Sequence, residues 1–175
     1  MEDWKSIIVT LVYIRQKMRK VDKDNLWEYY LPEVATTKED IDQVQQKLHI
    51  CLSDEYQNFL LYANGWSCFY QMVDLFGTKD FISDKMERAL EMLSIVLEYN
   101  EELYEMKKNL FPIAISRIDI DLFVMVTKKG EMFGEVIWFA GGEIERYKSF
   151  TEFFMAMIEY NKLDAEDLEK EWEDD

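Results

Sequence analysis

Near Pro112 the apolar residues change their spacing, and no other feature limits the architecture as much. After it, Ile113, Ile115, Ile118, Ile120, Leu122, Val124 and Val126 recur mostly at every second position, the repeat of extended strands. Lys129-Gly130 and Gly141-Gly142 then supply hairpin turns leading into residues 135–139 and 144–147. Before Pro112 the spacing is three and four: Trp4, Ile7, Ile8, Leu11, Val12, Ile14 and Met18, then Ile41, Val44 and Leu48, then Tyr56, Phe59, Leu60 and Ala63. Met86, Ala89, Leu90, Leu93, Val96 and Leu97 mark a fourth helix that continues or restarts through Leu110, where Pro112 ends it. Helices followed by a meander predict an α+β fold, a central mostly antiparallel sheet with helices packed around it in one domain.

Polar residues punctuate this pattern. Thr36 with Glu39 is a capping box for the second helix, Ser53 caps the third, and Asn64-Gly65 provides the left-handed stop after it. Residues 66–76 are aromatic and β-branched enough for one or two short strands closed by Gly77, and Ser83 or Asp84 starts the long helix. Ser149 with Glu152 opens a helix burying Phe150, Phe153, Phe154, Met157 and Ile158. Asp164 caps a last short helix in which Ala165, Leu168 and Trp172 share a face. The expected organisation is an N-terminal helix and variable prefix over 1–35, an α+β domain over 36–161 and an acidic helical tail over 162–175.

With 175 residues, 49% apolar and 15% aromatic, the chain can bury a dense core without metal or disulfide support. Cys51 and Cys68 fit no disulfide framework and no ligand cluster, so both are expected to be free thiols. The acidic start Met1-Glu2-Asp3 is unlike a signal peptide, and no stretch approaches the ~20 apolar residues of a membrane span. Cytoplasmic residence away from membranes is the expectation. Net charge is −16, concentrated after the first 25 residues, which carry six basic and four acidic side chains. Such a field disfavours direct nucleic-acid binding and attracts a basic protein.

Catalytic patterns are sparse. His49 stands two residues before Cys51, a spacing that on a strand could resemble a thiolate and its base, but also suits a capping histidine beside a small buried thiol. Asp119 and Asp121 alternate with Ile118, Ile120 and Leu122, placing both carboxylates on one strand face, either for a divalent cation or as a solvated edge. Gly130 and Gly134 precede no helix and read as hairpin glycines, and the ten methionines read as core filler. No cofactor is implied, and binding is favoured over catalysis.

The run from Leu48 to Trp66, with Tyr56, Phe59, Leu60, Asn64, Gly65 and Trp66 in order, resembles the N-terminal signature of the SUKH superfamily. Leu110-Phe111-Pro112-Ile113-Ala114 is similar to that family's entry into its central strands, and Ser149-Phe150 through Phe154 to its closing helix. Ser53 replaces the usual proline, residues 83–110 are longer than in many members, and the mid-domain Gly-Asp turn is reduced to Arg117-Ile118-Asp119-Ile120-Asp121 without glycine. The resemblance implies an α+β fold and, for bacterial members, an immunity protein that occludes a toxin domain, often a nuclease or deaminase. For fungal members it implies a non-catalytic regulatory module of a pathway such as cell-wall synthesis. Candidate partner-binding residues are Trp66, which is either an exposed anchor or a core aromatic, and Asp74, Asp80, Asp119 and Asp121, taken as loop or strand-end carboxylates.

Overall fold

A computed structural model describes residues 2–171. Among these, the chain forms α1 (Trp4–Val21), α2 (Lys38–Leu48), α3 (Asp54–Leu60), β1 (Trp66–Tyr70), β2 (Val73–Leu75), α4 (Asp84–Leu97), α5 (Glu101–Glu105), β3 (Leu110–Ser116), β4 (Asp121–Val126), β5 (Val136–Ala140), β6 (Glu143–Tyr147) and α6 (Phe150–Glu171). The six strands make one sheet in chain order, each pairing antiparallel with the next. The α+β architecture read from the change of spacing is the one observed.

α6 lies across one sheet face, where Phe153 meets Phe69 of β1, Phe123 of β4 and Tyr147 of β6 with ring centroids 5.1–6.0 Å apart. α1 and α3 pack beside it: Trp4 sits among Phe59, Phe150 and Phe154 at 5.4–5.5 Å. α4 packs on β3 and β4. Cover on both faces explains why every residue of β3 and all of β4 except Asp121 are buried. The alternation that suggested an amphipathic strand through 118–120 therefore belongs to no strand: Ile118 and Ile120 lie in the β3–β4 turn, 76% and 52% exposed.

Several boundaries shift for local reasons. The second helix is capped by Thr37, whose hydroxyl accepts from Asp40 N, while Thr36 donates to the Asp40 carboxylate. The long helical stretch breaks at Asn100, whose side chain caps α5. Pro112 does not end a helix but stands inside β3, where β2 pairs only with residues 114–116 and a register shift separates Pro112 from Ala114, a tolerated place for a residue without N–H. α6 runs through Asp164 without a new cap because Met157, Ile158, Asn161, Ala165 and Leu168 keep one continuous buried stripe. Trp172 lies outside the described residues.

The Asn64-Gly65 stop works by close packing. Gly65 has φ +94, and a Cβ there would come 2.6 Å from Gly77 N; Asn64 Oδ1 accepts from Thr78 N at 2.8 Å. Ser53 caps α3 by accepting from Tyr56 N, and the Tyr56 hydroxyl donates to Phe76 O at 2.6 Å, tying the helix to the end of β2. The segment before α2 covers the edge of β1: Glu33 N donates to Gly65 O, Val34 bridges Ala63, and Trp66 Nε1 donates to Tyr30 O at 2.9 Å. Arg15, buried on α1, holds the same segment through Glu28 O at 2.7 Å and reaches Asn161 of α6 at 3.3 Å.

Candidate functional site: two acidic neighbourhoods

The five candidate residues separate into two places. Asp74 occupies the middle of β2, 2% exposed. Its Oδ1 accepts from Cys68 N at 3.0 Å, which holds Cys68 at φ 50 in the irregular β1–β2 pairing. Arg117 Nε reaches both Asp74 oxygens at 2.9 and 3.0 Å, and Lys85 Nζ lies 3.0 Å from Oδ2. Lys85 also meets Asp80 at 3.3 Å, while Arg117 extends to Glu28 at 2.9 Å and lies over the Tyr30 ring. Burial works against the charges on Arg117 and Lys85, yet their acceptors together, chiefly Asp74 and for Lys85 also Asp80, raise both pKa values. The Cys68 thiol is pushed up to about 11, chiefly by burial, so it stays protonated near neutrality.

Next to this chain of charges is a polar recess of about 400 Å³ lined in part by Glu33, Asn64, Trp66, Lys79, Asp80 and Lys85. Trp66 is only 1% exposed, so the alternative of an exposed aromatic anchor gives way to the core reading: its ring fills the interior and its one polar atom is bonded to Tyr30 O. Asp74 and Asp80 likewise are not free loop carboxylates. Cations already satisfy Asp74, and Asp80 accepts from Gly77 N at 2.8 Å in addition to Lys85.

The second neighbourhood is the β3–β4 turn. Asp119 is exposed, accepts from Ile120 N at 2.8 Å, and enters no ion pair among the described residues. Asp121 is half-buried and accepts from Trp138 Nε1 at 2.8 Å; burial raises its pKa, the indole bond opposes the rise and Asp119 adds to it. The two aspartates interact electrostatically but differ in setting. Asp121 joins the sheet face covered by α6, and Asp119 stays on the turn. Ser116 Oγ fixes that turn by accepting from Asp119 N, and Arg88 of α4 donates to Ser116 O.

Between α4 and the hairpin tips runs a groove of about 330 Å³ lined by Arg88, Glu91, Met92, Ile95, Val96, Tyr99, Ile120 and Gly141. Ile95 and Tyr99 are 61% and 85% exposed. Sequence reading missed them, although a signal existed: both are apolar positions of the α4 region outside the stripe that packs on the sheet. His49 is the exposed left-handed C-cap of α2, matching its capping reading, whereas Cys51 is only partly buried. Among the described residues no three His, Cys, Asp or Glu side chains gather as a metal site, and no helix is long and apolar enough to cross a membrane.

The family profile described as SMI1 / KNR4 family (SUKH-1) matches residues 35–156. The match spans α2 through the first turns of α6 and leaves α1 outside, although α1 packs into the same core. No curated protein matches the chain.

Proposed function

The chain belongs to the SMI1 / KNR4 family (SUKH-1), a family that fits immunity-type or regulatory interaction modules, and from that premise we propose that it is an immunity protein. It binds a basic toxin domain, of nuclease type, and neutralises it by covering its working surface, with no bond made or broken. The observation that carries this reading is the β3–β4 turn, where an unpaired carboxylate, Asp119, stands between the exposed Ile118 and Ile120. Exposed aliphatic groups beside a free charge supply area and steering together, the combination that speeds capture of an oppositely charged partner. The net charge of −16 extends the attraction beyond the contact itself.

Co-expression with toxin domains encoded beside the gene, read by co-purification and by rescue of cell growth, tests the proposal. Rescue together with a stable complex is the expected result. A chain that neither binds nor protects against any neighbouring toxin, but recovers a resident cellular enzyme, would instead be a regulatory module.

A further inference from the structure

We infer that the groove between α4 and the tips of the β3–β4 and β5–β6 hairpins seats a basic amphipathic helix of the protein partner. The inference deepens the binding-module reading and rests on it. Met92, Ile95 and Val96 recur at helical spacing on α4 and Tyr99 follows just past its end, so they line one side of the groove, with Arg88 to Leu97 spanning about 14 Å along the helix. Ile120 and Gly141 form the opposite wall, and Gly141 takes the left-handed φ of +79 that turns the β5–β6 hairpin there. An apolar trough flanking more than two helical turns matches the helix-in-groove mode, in which side chains at i, i+3 or i+4 and i+7 enter as anchors.

Charge selects the kind of helix. Glu91 lines the groove, Glu98 is exposed on the adjoining end of α4, Asp119 is exposed beside Ile120, and none of the three enters an ion pair among the described residues. The cation in the lining, Arg88, is engaged with Ser116 O. Lysine or arginine flanking an apolar stripe would find free carboxylates along this rim, whereas an acidic helix, or a second copy of this acidic chain, would meet like charge.

The test uses a synthetic Leu/Lys amphipathic helical peptide, a Leu/Glu peptide of the same pattern, and the full chain. Expected are binding of the Leu/Lys peptide that weakens with salt, no binding of the Leu/Glu peptide, and a loss of about tenfold or more in the double variant Ile95→Ser/Tyr99→Ser. Val9→Ser, an exposed apolar change on α1, should leave affinity unchanged. Far-ultraviolet dichroism and the melting temperature of each variant show that the fold persists, as exposed positions permit. Equal binding by the double variant, equal loss in Val9→Ser, or a dimer of the chain that Ile95→Ser dissolves would overturn the inference. A neighbouring toxin captured undiminished by the double variant would sink this groove and leave the immunity reading standing. Peptide binding at the groove without capture of any toxin would do the reverse.

Discussion

Asp74 and Asp119 are the same side chain in opposite circumstances. Asp74 is 2% exposed and held by Arg117, Lys85 and the Cys68 amide, so its charge is spent inside the molecule, joining β2 to α4 and to the turn after β3. Asp119 stands in solvent with only a backbone amide of its own turn. An acidic surface is therefore not one reservoir of binding charge. Buried carboxylates held by half-exposed cations organise the fold, and those on turns without cations stay in solvent.

The sharpest way to break this contrast is at the recess, where substitutions should act on stability. Trp66→Ala removes a fully buried indole and should destabilise the protein by about 3–5 kcal/mol in urea denaturation. Were Trp66 instead a partner anchor, stability would hardly change and affinity would collapse. Asp74→Asn leaves Arg117 and Lys85 without their carboxylate; because these cations are 32% and 41% exposed, water recovers part of the loss and about 2–3 kcal/mol is expected. A change within about 0.5 kcal/mol would show that the recess is no more structural than the turn.

Much of the fold was legible because its determinants are local. The Ser53 and Ser149 caps and the Gly141-Gly142 hairpin each rest on residues within a few positions of one another. The fates of the aspartates were not legible, since Arg117 lies 43 positions from Asp74 and no periodicity announces their meeting. The alternation through Ile118 and Ile120 misled for a related reason. β3 and β4 are covered on both faces, so a two-residue spacing there carries no information about which side chains face solvent. Asp164 looked like a cap because Asp favours caps, yet a continuous buried stripe on α6 outweighs that preference.

Asp119 and Asp121 sharpen the comparison at shorter range. Asp121→Lys would place a long cation against Trp138 in a half-buried setting and remove the indole's acceptor, for a loss of about 1–2 kcal/mol. Asp119→Lys should stay within about 0.5 kcal/mol while slowing partner association, most at low salt. Reversing both together would confuse the two effects, so the single variants carry the information. Equal stability of the two would mean that the Trp138 bond does not distinguish them.

The smallest effect expected is a pH dependence. Burial raises the Asp121 pKa, and it raises that of Asp164, whose carboxylate accepts from Gln71 at 3.2 Å while Gln71 and Arg15 pull the other way. For both, the folded state holds the proton more tightly than the unfolded chain. The associated stability is fully present below the ordinary aspartate range and is lost as pH rises through the folded value, from about pH 4 upward. Asp121→Asn and Asp164→Asn should therefore flatten the fall of melting temperature with rising pH in that window, each by a small amount. Asp119→Asn, which removes a solvated charge, tests whether the slope belongs to burial: it should flatten the curve only through relief of its repulsion on Asp121, and less than either buried variant. A larger effect from Asp119 than from Asp164 would mean that repulsion across the turn, and not burial, governs these carboxylates.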